Sequence, residues 1–226
     1  MKLAYNNQLH LFPLTIHLFK IEEFFQKELI DFTYKLQETQ DSRQRSNRNG
    51  WQSYNNLQDV EAHFTEEEDL ECILHLLDII HLGITSLEKE WDFSQYEMTL
   101  KPKISALWLN INPYGSRNEW HCHGNTGYSG CFYIKKIRGI HDGEMLISDG
   151  HIEFEDTRKE AVCWEVPGLP RDNFTPDNIE LYDSKTIPTE TGDLLIFPSY
   201  ANHKVNVNEI SDTRITASFN FNWHPA

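Results

Sequence analysis

Positive charge is scarce in this chain: 20 Lys and Arg face 35 Asp and Glu, a formal net charge of −15 with the 11 histidines neutral. Proteins that grip nucleic acid draw most of their affinity from cations set against phosphates, and proteins that lie on anionic lipid need the same surplus. Both partner classes are therefore disfavoured, and the one basic cluster, Lys135, Lys136 and Arg138, reads as a solvated strand end. Cysteine is sparse too. Cys72, Cys122, Cys131 and Cys163 show neither paired nor C-x-x-C spacing, and the opening MKLAYNNQLHLF has no continuous apolar stretch and no small-residue cleavage site. Four reduced thiols in a cytoplasmic protein are expected. Long hydrophobic runs are missing as well: the most apolar stretch, 72–84, is broken by His75, Asp78 and His81, short of the ~18 residues that a membrane span requires. Repeats and low-complexity tracts are absent.

What is present is an apolar, aromatic-rich composition, 39% hydrophobic and 12% Phe, Tyr and Trp, which suits a β-rich core and excludes disorder. The 226 residues fit one domain of generous size that needs no disulfide staple. Periodicity changes along the chain. In 21–40 the residues Ile21, Phe24, Phe25, Phe32 and Leu36 recur near helical spacing, opposite Glu22, Glu23, Lys27 and Asp31. A second helix is expected from a Thr65 cap, with Glu68 reaching back to it, to about Trp91. Between them SRQRSNRNGWQSYNNLQD reads as a long polar loop. From about Tyr96 the pattern is strand, in MTLKPKISALWLNINPYG, YSGCFYIKKI, GEMLISDG, GDLLIFPSY and RITASFNFNW. Short strands with turn punctuation and no intervening helices predict an antiparallel sandwich or barrel flanked by the N-terminal helices, an α+β arrangement. The expectation is a single domain, 1–226, with a helical flank at 1–95 and a β core at 96–226. The Pro-containing stretch 151–191 is expected to leave the sheet, with Trp164 and Phe174 as anchors.

Chemistry concentrates in Glu119-Trp120-His121-Cys122-His123-Gly124. Alternation along a strand turns His121 and His123 to one side, where two imidazoles can meet one metal ion. Some eighty residues on, an apolar strand ends at Phe197-Pro198 and a short loop delivers His203. Arg214 then opens a strand in which Arg214, Thr216, Ser218, Asn220 and Asn222 share one face, and Ile215, Ala217, Phe219, Phe221 and Trp223 the other. That polar face either meets solvent or lines a polar cavity. Its place behind a His-bearing loop favours the cavity.

With these residues in hand, the chain resembles the 2-oxoglutarate- and Fe(II)-dependent oxygenases of the double-stranded β-helix (jelly-roll, cupin-like) fold. NEWHCHGNTGYSGCFYIKK, LLIFPSYANHKV and RITASFNF are similar to a bacterial and phage branch loosely related to prolyl hydroxylases. LFPLTI and the run from Ser46-Asn47 to Gly50-Trp51-Gln52-Ser53 extend the likeness over most of the chain. The resemblance implies a dioxygenase, expected to be a hydroxylase, that couples decarboxylation of 2-oxoglutarate by O2 to oxidation of a C–H bond. It implies His121 and His203 as iron ligands and Arg214 as the fork that pairs with the distal carboxylate of 2-oxoglutarate. Thr216 would add a donor to that carboxylate. Tyr133 is either another or a core aromatic at the barrel rim. The family's usual carboxylate ligand is replaced by His123, which would give a three-His face with one more unit of positive charge; Glu119, two residues before His121, is the alternative third ligand. Asn110, Ser218 and Asn220 are candidate pocket residues, with Asn112 beside them.

Two rivals stand beside this reading. A cupin-type dioxygenase with a three-His metal site and no 2-oxoglutarate agrees with His123 and leaves Arg214 without a task. A non-catalytic β-barrel binding module would not need three histidines at ligand spacing. The motifs assign no substrate, leaving a peptide side chain, a small metabolite or a nucleobase open, and the acidic whole favours a neutral or cationic one.

Overall fold

A computed structural model describes residues 14–88, 100–136, 141–142, 145–146, 148–156 and 184–225. The elements are β1 (His17–Lys20), α1 (Gln26–Thr39), β2 (Asn47–Arg48), β3 (Trp51–Gln52), α2 (Val60–His63), α3 (Glu67–Glu88), β4 (Leu100–Asn112), β5 (Arg117–His121), β6 (Tyr128–Lys135), β7 (His141–Asp142), β8 (Met145–Leu146), β9 (Ile152–Glu155), β10 (Ser184–Ile187), β11 (Asp193–Pro198), β12 (His203–Val205) and β13 (Arg214–Pro225). A major sheet runs β1-β11-β6-β13-β4-β3 and a minor sheet β10-β9-β12-β5-β2, with β7 and β8 paired separately. Every strand pair is antiparallel, and the two sheets build the double-stranded β-helix.

The helices cover the outer face of the major sheet because their apolar stripes match it. On α1 the buried residues are Leu29, Phe32, Thr33 and Leu36, spaced as one helical face, and on α3 they include Ile73, Leu76, Ile80, Ile84 and Leu87. Both stripes join one core with Leu107, Leu109 and Ile111 of β4, Phe132 and Ile134 of β6, Leu194 and Ile196 of β11, and Ile215, Ala217, Phe219 and Phe221 of β13. Helix and sheet come so close that a Cβ on Gly83 would collide with the Leu194 side chain. By length and composition α3 could cross a membrane, with a mean hydropathy of 1.6, but its stripe packs into this core.

Both helix starts differ from the sequence expectation. The Ile21 N–H is bonded to the Gly192 carbonyl at 2.8 Å, which keeps the chain extended there, and Phe24 packs edge-on against Phe132, so α1 begins at Gln26. In α3 the first helical bond runs from Leu70 N to Glu66 O at 3.0 Å, so Thr65 lies outside the helix, while Glu67, Glu68 and Asp69 supply the acidic first turn. The polar stretch read as a loop instead carries two short strands that join different sheets: Asn47 pairs with Asn118 of β5, and Trp51 with Ile111 of β4. Likewise, both ends of 151–191 are in the minor sheet. β9 and β10 pair with each other, and β9 pairs with β12, aligning Phe154 with His203. These strands are four residues long, too short for alternation to reveal them. The proposed anchors Trp164 and Phe174 lie outside the described residues, as do Arg138 and Cys163; Cys72, Cys122 and Cys131 are free thiols.

Candidate metal centre

The inner face of the major sheet is polar by strict register. β13 sets Arg214 opposite Asn112, Thr216 opposite Asn110 and Ser218 opposite Trp108 on β4; on its other side Thr216 aligns with Tyr133, Ser218 with Cys131 and Asn220 with Ser129 on β6. The alternate residues of β13 face the helices. Arg214, Thr216, Ser218, Asn220, Asn110, Asn112 and Tyr133 thus line one cavity of about 490 Å³, closed on the opposite side by His121, His123 and His203 of the minor sheet. The Asn110 amide donates to Thr216 Oγ1 at 3.3 Å and to Ser218 Oγ at 3.1 Å, a cross-strand ladder that fixes this wall.

The three histidines converge. One ring nitrogen from each lies within 4.8 Å of the other two, and the His121 and His203 ring centres are 4.3 Å apart. Each has its own device. His121 ends β5 directly opposite His203 on β12. His123 lies beyond the strand, so it is held by the bond from its own N–H to Ser199 O at 2.9 Å and by stacking on Trp108, rather than by strand alternation. His203 is wedged against Phe154 and Phe197. His121 Nδ1 donates to the Glu119 carbonyl at 2.7 Å and His203 Nδ1 to the Ala201 carbonyl at 2.9 Å. Both bonds fix the tautomer with an unprotonated Nε2, the arrangement that metal-binding imidazoles require; on His121 that atom has the Ser46 hydroxyl at 3.4 Å. Burial pushes His203 down to about 3 and His123 down to about 4, each aided by the nearby His121, and burial also lowers His121. At neutral pH all three are uncharged. The donor set fits a first-row metal ion such as Fe(II) on one face of its coordination sphere.

Glu119 is not brought to this cluster. Between the paired positions β12 advances two steps, His203 to Val205, while β5 advances three, His121 to Asn118, so β5 carries a bulge. The extra residue breaks the alternation that would have aligned Glu119 with His121 and turns Asn118 into the cavity instead. The Glu119 side chain is 45% exposed and accepts from Arg117 at 3.0 Å, with Arg48 at 3.8 Å.

Deeper in the cavity, Arg214 is 5% exposed; its Nη1 donates to the Gly150 carbonyl and its Nε has no partner among the described residues. Gly150 has φ +74° and approaches so closely that a Cβ would lie 3.1 Å from Nη1, so both the backbone and the space demand glycine. Burial lowers the Arg214 pKa from its ordinary value, but the group stays charged. A buried guanidinium that lines a polar cavity fits a ligand carboxylate. Tyr133, 1% exposed, contributes to the same region, and burial raises its phenol well above the usual range.

Several residues at the site escaped the sequence reading. Lys136, taken for part of a solvated strand end, is buried: its side chain is 1% exposed, 3.0 Å from the equally buried Asp149, and its ammonium donates to Thr189 Oγ1 at 2.9 Å. Burial lowers the Lys136 pKa against the pull of Asp149; burial raises the Asp149 carboxyl, but His151 and Lys136 together hold it below its ordinary value. Arg45, Ser46, Gln52 and Asn55, from the polar stretch, also line the cavity, as does Trp108. Trp108 shares the alternation of Asn110 and Asn112, a signal present in the sequence. The hairpin residues had none.

Two antiparallel sheets enclosing a three-imidazole cluster and a buried arginine define a mononuclear metal site of the double-stranded β-helix class. Residues 106–220 match the family described as "Putative 2OG-Fe(II) oxygenase", and the chain belongs to that family, whose metal and cosubstrate are Fe(II) and 2-oxoglutarate. Solved structures with the same fold include a Trichoplax adhaerens prolyl hydroxylase in complex with a hypoxia-inducible-factor oxygen-degradation-domain peptide (12% identity, 91% of this chain and 82% of that one, TM-score 0.56). A viral collagen prolyl hydroxylase from Paramecium bursaria Chlorella virus-1, as its 2-oxoglutarate complex, is similar at 12% identity over 91% of this chain and 94% of that one, TM-score 0.51. The α-ketoglutarate-dependent epimerase SnoN of nogalamycin biosynthesis is similar at 12% identity over 91% and 75%, TM-score 0.55. No curated protein sequence matches.

Proposed function

We propose that the chain is a hydroxylase in which His121, His123 and His203 hold Fe(II), while Arg214, with Thr216 and Tyr133, anchors the distal carboxylate of 2-oxoglutarate. The observation that carries this reading is the meeting, in one 490 Å³ cavity, of three converging imidazoles and a buried guanidinium. Bound iron would couple O2-dependent decarboxylation of 2-oxoglutarate to oxidation of a C–H bond, releasing succinate and CO2. The protein's own task is positional. The imidazoles stay neutral and oriented through the carbonyls of Glu119 and Ala201, the Arg214 fork fixes the cosubstrate from the far end, and the Phe154 and Phe197 rings keep the rear of His203 dry. Three neutral ligands leave the iron one unit more positive than a site with a carboxylate. The free thiols support a cytoplasmic setting.

The anaerobic protein with Fe(II) and 2-oxoglutarate should develop the weak visible metal-to-ligand band of a chelated complex, and Arg214→Ala should weaken its formation. No band, or unchanged cosubstrate affinity in that variant, overturns the reading in favour of a three-His dioxygenase without 2-oxoglutarate. Hydroxylation as the outcome is supported by the likeness to two prolyl hydroxylases; a product epimerised without gain of oxygen would overturn it.

A further inference from the structure

The cavity mouth carries a group that the oxygenase chemistry does not use. Arg45 lines the mouth, exposed, and its guanidinium has no hydrogen bond or ion pair among the described residues. Its backbone, by contrast, is pinned on both sides. The Arg45 N–H donates to Oδ1 of the buried Asn47 at 2.8 Å, and its carbonyl accepts from Arg48 Nη1 at 3.0 Å. Nearby cations are committed elsewhere: Arg43 donates to Asn55 at 2.9 Å and lies 5.0 Å over the Tyr54 ring, while Arg48 and Arg117 share the single carboxylate of Glu119. Of these four guanidiniums Arg45 is the one that lines the cavity, and it does so without a partner among the described residues.

Position gives this cation a use. The next residue, Ser46, has its hydroxyl 3.4 Å from His121 Nε2, so the Arg45 backbone lies one residue from a side chain that touches the metal cluster. Physiological salt screens charges more than about 8 Å apart, so the distant acidic surface counts for little against a guanidinium at the mouth. We infer that Arg45 and its pinned backbone form an anion subsite, and that the primary substrate carries a carboxylate or phosphate close to the carbon that is oxidised. This deepens the oxygenase reading and rests on it.

The test uses the full chain loaded with Mn(II) and saturated with 2-oxoglutarate, so that Arg214 is occupied. Inorganic phosphate is followed by 31P line width and 13C-acetate by 13C line width, with trimethyl phosphate as the uncharged control. Broadening of one or both anions, reduced about tenfold in Arg45→Gln by loss of a charge-assisted contact and retained in Arg45→Lys, supports the subsite. The anion that broadens more assigns phosphate or carboxylate. Equal broadening in wild type and Arg45→Gln, or by trimethyl phosphate, overturns it. Absence of Mn(II) binding by the wild type instead counts against the metal-site reading. The subsite is then read by calorimetric titration of the metal-free protein with phosphate, where equal heats in wild type and Arg45→Gln overturn it.

Discussion

The two ends of the cavity handle positive charge in opposite ways. At the deep end Arg214 keeps a donor unmet in a dry wall, and Lys136, over the ring of the cavity-lining Tyr133, is buried against Asp149. At the mouth Arg45 is exposed without a partner among the described residues, and Arg48 and Arg117 outside the cavity lining share the exposed Glu119 carboxylate. A charge removed from water must be paired, so changes at the deep end act on folding and on ligand capture together. At the rim water substitutes for a lost partner, and only ligand choice changes.

The sharpest break in this contrast is at the metal cluster. His203→Ala should lower metal affinity by more than about 100-fold, beyond the cost of losing an outer hydrogen-bond partner, as read by equilibrium dialysis. Arg214→Lys keeps the charge but loses the fork, and should raise the apparent KM for 2-oxoglutarate by about 30-fold with a smaller change in kcat. Lys136→Met removes the ammonium from the buried Asp149 carboxylate while His151 stays beside it, and should cost about 2 kcal/mol in chemical denaturation; adding Asp149→Asn should restore part of that.

Acid provides a fourth test. The folded-state pKa values of His203, about 3, and His123, about 4, lie below the unfolded value of 6.5, so the unfolded chain binds protons first. The metal-free protein should lose stability as pH falls from about 6.5 toward 4, and added metal should shift that loss to lower pH. The smallest effect belongs to the rim: Glu119→Gln should change metal affinity by less than about twofold. A large loss there would return Glu119 to the ligand set.

Much of this contrast was legible. The Arg214 to Asn222 alternation announced a strand with one polar face, and the 29, 32, 33, 36 stripe of α1 lies within the helical segment that the periodicity marks. His121, His123 and His203 were legible because residue type and spacing both carried information. Glu119 misled because strict alternation holds only without a bulge, and the β5 bulge is set by pairing with β12, eighty residues away. Lys136 misled because a lysine at a strand end is ordinarily solvated; its partner Asp149 lies across a stretch that sequence cannot fold back.

The sequence by itself determined the longer elements and the chemical kit: helical and strand periods, an apolar face opposite a polar one, three histidines and an arginine. These follow from local rules, in which a side chain's direction is set by its own backbone. Which groups share the cavity was decided by tertiary structure alone. Register, bulge and hairpin placement are long-range pairings, and they buried Lys136, excluded Glu119 and brought Arg45 to the mouth.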